Sequence, residues 1–397
     1  MAAWEYAVIA LSALVLVVWV TRLVAVYSAR TRGPVLGADT IPDVPPSGRV
    51  SIVMPVKDEE ANVGAALATL RAQDYADIEI IVVDDRSRDR TAEIVRAAAA
   101  QDPRIRLVQV TELPPGWFGK PHAMHTGAAA ATGEWLLFVD ADCRQAPHSA
   151  RAAVNFLSSR AGDMLSLWPI LEMRSFWENT VQPVAGSVLA SWFRPGWVND
   201  PRRRTAFANG QYIMIRSSAY RAVGGYESVR TEIVEDIALA RRVKGAGHRL
   251  WNAVGVDLFT TRMYDSLGGM YKGWSRIYCG AFQSAPVLAA VMTATFLFTL
   301  APFAAVAGAA AAMAGGTVNP FWPVLFGLSA ATLLVIFITM RRLLVMGRVN
   351  PWYLLYYPIS VVIVMSFQAG AMLRALGLTT ITWRGTTYKG RKVVGGK

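Results

Sequence analysis

Two short acidic motifs each close an apolar run: Asp84-Asp85 follows Ile80-Ile81-Val82-Val83, and Asp140-Ala141-Asp142 follows Leu136-Leu137-Phe138-Val139. Carboxylates at the carboxyl ends of parallel strands face a ligand crevice. Two carboxylates one residue apart can share a hard divalent cation, and a cation that keeps open positions can bridge two phosphates. Each motif alone has an ordinary alternative. For the first it is helix capping, with Ser87 and Asp89 ahead of Thr91, and for the second a solvated turn. The same placement of both after apolar strands favours metal and diphosphate binding. A third pair, Glu235-Asp236, opens the helical stretch Ile237 to Lys244, where negative charge also suits a helix N-terminus. Group transfer to a hydroxyl needs a base, and Asp236, with Glu235 beside it, is the candidate. Lys120 ends Gly116-Trp117-Phe118-Gly119-Lys120, a cation on a glycine-containing loop suited to charge on a departing diphosphate. It is not a Walker loop, because the glycine spacing and the following Ser or Thr are missing.

The elements that must position these groups follow from the periodicity. Arg49 to Val56, Ile78 to Asp84, Ile105 to Val110 and Trp135 to Val139 are short apolar runs of strand length. Ala61 to Gln73, Thr91 to Ala100 and His122 to Ala131 carry helical spacing between them. Such alternation predicts a mostly parallel, doubly wound α/β sheet.

Apolar runs bracket this region. The first, within 1–28, is long enough for a membrane helix, and Arg22, Arg30 and Arg32 follow it, which puts the N-terminus outside and the next segment in the cytoplasm. Residues 29–48 are Pro/Gly-rich and read as a linker, 49–265 as a cytosolic globular domain and 266–285 as an interfacial amphipathic helix. Three further apolar runs fill 286–376, and the chain ends in a basic tail over 377–397. Arg341, Arg342 and Arg348 mark one connecting loop as cytoplasmic. If all three runs cross, the basic tail lies outside, so one is expected to be re-entrant, with Pro302 and Pro358 as places for a helix to break. The net charge of +12 accompanies these spans and no nucleic-acid module, which excludes nucleic acid as the partner. The two cysteines, Cys143 and Cys279, are too few for a disulfide framework.

The motifs taken together resemble the inverting family-2 glycosyltransferases, in particular a bacterial membrane branch similar to hopanoid-associated and carotenoid glycosyltransferases and, more distantly, ceramide glucosyltransferase. The resemblance rests on Pro55-Val56-Lys57-Asp58-Glu59-Glu60, Val83 to Ser87, Pro114 to Lys120, Asp140-Ala141-Asp142, Asn209-Gly210-Gln211, Gly224-Gly225 and Glu235-Asp236, in that order over nearly the whole chain. It implies a GT-A fold and transfer from a nucleotide-diphosphate sugar, UDP-linked, with GDP as the alternative carrier. Pro55, Glu59, Asp84 and Asp85 would surround the base and ribose, and Asp140 and Asp142 would hold Mg²⁺ or Mn²⁺ on the diphosphate with help from Lys120. Asn209, Gly210 and Gln211 would line the sugar and acceptor pocket, although Gln211 could equally begin a strand. Trp383-Arg384-Gly385 with Tyr388 resembles a tail motif of this branch.

Processive members carry a Gln/Arg-x-x-Arg-Trp motif; the corresponding stretch here is Tyr271-Lys272-Gly273-Trp274-Ser275-Arg276, with the Trp and Arg order reversed. One sugar per acceptor is therefore expected, with Trp274 and Arg276 near the acceptor and Lys272 on the same helix face as Arg276. Phe176, Trp177, Trp192, Phe193 and Trp197 ahead of Arg202-Arg203-Arg204 read as a segment resting on an anionic leaflet, which favours a membrane-lipid acceptor; the alternative is core packing. The expected location is the bacterial inner membrane with the catalytic domain in the cytoplasm. The rival readings are a processive polysaccharide synthase, a transporter or scaffold with a regulatory nucleotide-sugar domain, and a glycoside hydrolase. The synthase would need more spans, the transporter charged residues within them, and the hydrolase leaves the Gly-Lys loop unexplained.

Overall fold

The computed structural model describes residues 1–28, 33–43, 45, 47–383, 386–389 and 392–396. Of the positions named above, Arg30, Arg32, Arg384 and Gly385 lie outside the described residues. The chain forms two compact units, one of Gly33–Glu172, Phe193–Met263 and Thr379–Lys397, the other of Met1–Arg32, Met173–Trp192 and Tyr264–Leu378.

The first unit is built on an eight-stranded sheet. Its strands are β1 (Val35–Leu36), β2 (Val50–Val56), β3 (Ile78–Asp85), β4 (Ile105–Val110), β5 (Trp135–Val139), β7 (Met164–Trp168), β9 (Tyr212–Arg216) and β10 (Leu250–Gly255). A three-stranded sheet holds β6 (Cys143–Gln145), β8 (Ile170–Leu171) and β11 (Phe259–Thr261). The large sheet runs β1-β10-β7-β9-β5-β2-β3-β4, all neighbours parallel except β9, which is antiparallel to β5 and β7. This is the mostly parallel α/β sheet that the strand and helix alternation predicts, in the GT-A-like form that the resemblance implies.

Strand β3 is buried along its whole length, as its unbroken apolar run requires of a central parallel strand. The helix Gly119–Ala130 packs on β2 and β3 through Gly127, where a Cβ would stand 2.4 Å from Val53 Cγ1. A proline in a central strand would normally forfeit a ladder bond. Here β2 pairs with β5 only from Val50 to Val53, while its pairing with β3 continues to Val56. The Val50 N–H points to Asp77 on the β3 side, so by alternation the Pro55 nitrogen faces the β5 side, beyond the last pair. Pro55 therefore marks where the sheet splays open.

Within residues 29–48, Val35–Leu36 joins the sheet as its edge strand beside β10, so this stretch carries structure beyond that of a linker. The segment after Leu378 folds into an antiparallel three-stranded sheet, Thr380–Trp383, Thr386–Lys389 and Lys392–Gly396.

The second unit is helical. Among the described residues four helices are long and apolar enough to cross a membrane: Ala3–Tyr27, Ala285–Ala314, Phe321–Met346 and Pro351–Ala375. Neither Pro302 nor Pro358 ends its apolar helix, and each is preceded by a local irregularity. Phe296–Leu300 is a π turn just before Pro302, and Pro351–Tyr356 is a 3₁₀ turn just before Pro358. Pro302 cannot donate, and the carbonyl of Phe298, four residues earlier, accepts the Trp19 indole N–H at 2.5 Å, which satisfies a polar group in apolar surroundings.

The helices Phe176–Trp192 and Leu267–Phe282 also belong to this unit and pack on Pro351–Ala375. Trp274 Nε1 donates to Gln182 Oε1 at 2.7 Å, and the Tyr278 hydroxyl donates to the Ala185 carbonyl at 3.0 Å. Phe176 packs edge-on against Tyr356 at 4.9 Å. The span read as one globular domain, 49–265, thus lends one helix to the helical unit, because that helix carries apolar and aromatic side chains around much of its surface.

Candidate active site

The loops that follow β2 and β3 are laced together by side chains. Asp58, at a φ of +53°, receives the Arg88 N–H at 2.8 Å, and its own N–H donates to Ser87 Oγ at 3.0 Å. The Glu60 N–H donates to Asp89 at 3.0 Å, and the Glu59 N–H donates to Thr91 Oγ1 at 2.8 Å. Glu59 is buried, and its carboxylate accepts from Asn62 at 2.9 Å. The two predicted alternatives for Asp84 are both visible: it sits at the strand's carboxyl end, and it caps the following turn by accepting the Ser87 N–H at 3.0 Å. Asp85 is held by Arg86 at 2.8 Å. Gly119 lets the next helix start against Asp85, since a Cβ there would lie 2.5 Å from Oδ2. Lys57 and His122, which sequence reasoning did not single out, complete the surroundings of Asp85; burial lowers the pKa of both, and Asp85 opposes the shift.

A second cluster forms where β5 ends. Asp140-Ala141-Asp142 is the turn from β5 into β6, closed by the Cys143 N–H on the Asp140 carbonyl at 3.2 Å. Lys120, on the first turn of Gly119–Ala130, lies 2.7 Å from Asp140 Oδ1 and 3.2 Å from Glu235 Oε1. Its surroundings would lower its pKa by desolvation, but Asp140 and then Glu235 outweigh that and raise it, so the ammonium stays charged. Glu235 and Asp236 open the helix Glu235–Gly245, where unpaired N–H groups favour carboxylates.

Asp236 accepts the Gly210 N–H and the Ile237 N–H, each at 2.7 Å. Enclosure in protein, and secondly the neighbouring Glu235, push its carboxyl up to about 7, with Lys120 pulling the other way. A carboxylate poised there can take a proton near neutral pH. Gly210 permits the approach: a Cβ would stand 3.0 Å from Asp236 Oδ2. The buried Tyr226 lies in the field of Glu235, Asp236 and Asp140 and was not foreseen, because a lone tyrosine after Gly224-Gly225 carries no spacing signal.

Residues 51–223 match the family model described as Glycosyl transferase family 2. The chain carries a glycosyltransferase family 2 domain over these residues. A 4,4'-diaponeurosporenoate glycosyltransferase of Staphylococcus aureus (strain USA300) is 26% identical over 269 residues, 65% of this chain and 68% of the relative. Among solved structures, the mannosyltransferase PcManGT from Pyrobaculum calidifontis, in complex with GDP-Man and Mn²⁺, superposes with a TM-score of 0.55 at 20% identity, covering 94% of this chain and 98% of that one. That likeness supports the GT-A fold.

In this glycosyltransferase, Asn209 and Gln211 form one polar unit: Asn209 Nδ2 donates to Gln211 Oε1 at 3.2 Å, and Gln211 Nε2 donates to Thr261 Oγ1 at 3.3 Å. Gln211 immediately precedes β9, and Asn209 is anchored by its N–H on Ser166 Oγ at 2.7 Å. Trp274 and Arg276 lie on the helix Leu267–Phe282 of the other unit, where Trp274 is buried against Gln182.

For a metal the relevant donors are two carboxylates on one turn. Among the described residues no group of three or more His, Cys, Asp or Glu is arranged to hold an ion. Two hard oxygen donors suit Mg²⁺ or Mn²⁺ when phosphate and water supply the remaining ligands, and Asp140 already faces the cation of Lys120. The residues fit an ion completed by its substrate.

Proposed function

We propose that this glycosyltransferase moves a single sugar from a nucleotide-diphosphate donor, UDP-linked, to a hydroxyl of a membrane lipid, with inversion and with Asp236 as general base. The observation that carries the reading is the bridge of Lys120 to both Asp140 and Glu235, which joins the phosphate-binding turn to the helix that bears the base. Asp236 takes the acceptor proton while the acceptor oxygen bonds to the anomeric carbon and the bond to the diphosphate oxygen breaks. Lys120 offsets charge on the leaving diphosphate, and the proton on Asp236 passes to solvent. Mg²⁺ or Mn²⁺, when bound by Asp140 and Asp142, supplies further charge neutralisation there, as the Mn²⁺ complex of PcManGT suggests.

Pro55, Glu59, Asp84 and Asp85 line the nucleotide end in this reading, and Asn209, Gly210 and Gln211 the sugar pocket. The lipid acceptor draws support from the four apolar helices and from a relative named for the carotenoid 4,4'-diaponeurosporenoate. In this reading the protein sits in the bacterial inner membrane with its catalytic unit in the cytoplasm.

The test is donor turnover by detergent-purified protein across UDP- and GDP-linked sugars, with extracted bacterial lipids and either Mn²⁺ or EDTA. A labelled lipid product is expected, lost with EDTA and in Asp142→Asn, while Asp236→Asn still binds donor but transfers nothing. Transfer at the wild-type rate by Asp236→Asn would reject the base assignment, and failure to bind any donor would reject the whole reading.

A further inference from the structure

Arg374, in the last turn of Tyr357–Ala375, is 9% exposed. Among the described residues its one hydrogen bond is a long one, from Nη1 to the Lys272 carbonyl at 3.4 Å, and it has no carboxylate partner. The helical unit contains three acidic residues, Glu5, Glu178 and Asp265, and none of them pairs with Arg374. Glu5 instead takes Asn319 at 2.7 Å, and Glu178 takes the Ser175 N–H at 2.6 Å. The charged group within electrostatic reach of Arg374 is another cation, Arg276. Lys272 lies one helical turn before Arg276 and so shares its face.

A buried guanidinium is costly unless an anion pairs with it, and a second cation beside it raises that cost. The carbonyls at the helix C-terminus offset only part of this. A guanidinium also presents five donors in a planar fork that matches phosphate oxygens, and here one donor is used. The surroundings are apolar on the outer side: Leu373, Leu376 and Leu378 are 37%, 55% and 69% exposed, and Tyr271 is 39% exposed. Packing is tight at this point, since a Cβ on Gly370 would stand 2.6 Å from the Tyr271 hydroxyl, which fixes the two helices that carry the cations. A buried guanidinium with a half-buried arginine beside it, edged by exposed leucines, suits a molecule with a phosphate at one end and acyl chains at the other.

We infer that the helical unit binds an anionic phospholipid, with the phosphodiester on Arg374 and Arg276 and the acyl chains along Leu373, Leu376 and Leu378. The inference rests on the membrane reading of this unit and is independent of the catalytic assignment. The shared ligand chemistry is a phosphate monoanion, which a lipid headgroup or free phosphate can supply.

The experiment follows thermal unfolding of the full-length protein in detergent, titrated with phosphatidylglycerol, phosphatidylcholine or inorganic phosphate. Phosphatidylglycerol is expected to raise the midpoint saturably and phosphatidylcholine not to. Arg374→Gln is expected to weaken the apparent affinity about tenfold or more, as loss of charge-assisted bonds implies, and Arg374→Lys to recover part of it. Equal responses to the two lipids, or a wild-type response in Arg374→Gln, would overturn the inference. A full response to inorganic phosphate alone would overturn the lipid assignment. If Arg374→Gln does not fold, Arg276→Gln must lose affinity likewise, and unchanged affinity there refutes the site. Assembly into phosphatidylcholine nanodiscs checks the membrane reading: failure removes this inference with it, whereas assembly without preference for phosphatidylglycerol removes the inference alone.

Discussion

Asp236→Asn should make the protein inactive and, above neutral pH, more stable. The carboxyl is displaced from 3.8 in the unfolded chain to about 7 in the fold, chiefly by enclosure and then by Glu235. Its folded pKa is raised, so between those values the folded state binds more protons than the unfolded one, and stability falls as pH rises through that window. At about 1.4 kcal/mol per pH unit the ionised carboxylate costs the wild type roughly 4 kcal/mol by pH 8, and almost nothing at pH 4 or below. Asparagine removes that charge but keeps only one good acceptor for the two N–H groups of Gly210 and Ile237 that Asp236 now satisfies. The lost bond returns about 1–3 kcal/mol of destabilisation at every pH. The two effects cross: the variant is expected to be less stable than wild type at pH 4 and more stable at pH 8, by roughly 1–3 kcal/mol in each direction. For a unit of this size that corresponds to a midpoint shift of several degrees, on the order of 2–4 °C per kcal/mol. Tryptophan-fluorescence melts of both proteins at pH 4, 6, 7 and 8 measure it, with kcat/KM in parallel, whose acid limb in the wild type should lie near 7. A variant equally destabilised at pH 4 and pH 8 would refute the argument that an ionised Asp236 is held against its surroundings.

Three further outcomes follow from the same geometry. Lys120→Met removes the cation that touches both Asp140 and Glu235, so kcat should fall by about 10²–10³, and the acid limb should move to higher pH because Lys120 now favours ionised Asp236; a kcat within about threefold of wild type would count against a role at the diphosphate. Gly119→Ala places a methyl 2.5 Å from Asp85 Oδ2, and displacement of that carboxylate, at about 1–3 kcal/mol, should appear in the donor KM more than in kcat. Lys244 donates to the carbonyls of Trp197, Val198 and Thr205 and so holds the loop that carries Arg202, Arg203 and Arg204; Lys244→Met should leave those carbonyls unpaired at a cost of about 1–3 kcal/mol and speed tryptic cleavage at the arginines.

What the sequence made legible is what depends on neighbours along the chain. The predicted strand bounds Ile105 to Val110 and Trp135 to Val139 coincide with the observed ones, because an apolar run between turn residues is a local property. The acidic ends of β3 and β5 were legible for the same reason, since a parallel strand must deliver its last residues to one edge of the sheet. Gly119 and Gly210 were visible only as motif letters; their reason, room for the carboxylates of Asp85 and Asp236, appears with the fold.

The less legible features are those where a local pattern serves a distant element. Phe176–Trp192 has the composition of a half-buried helix, which fits a leaflet, a domain core or another helix equally well. Gln182 settles one face, because a buried amide needs a partner and finds it in the indole of Trp274. The same reasoning bears on Lys120. In sequence it is a lysine at a helix start, where the dipole disfavours a cation, so placement there is costly unless anions compensate. Asp140 comes from the end of β5 and Glu235 from a helix much later in the chain, and only a sheet that sets β5 beside β2 and packs Gly119–Ala130 on β2 and β3 brings all three together. A cation placed against its helix dipole and held by two carboxylates from separate elements is over-determined by the fold, which is what the role proposed for Lys120 beside a departing diphosphate would require.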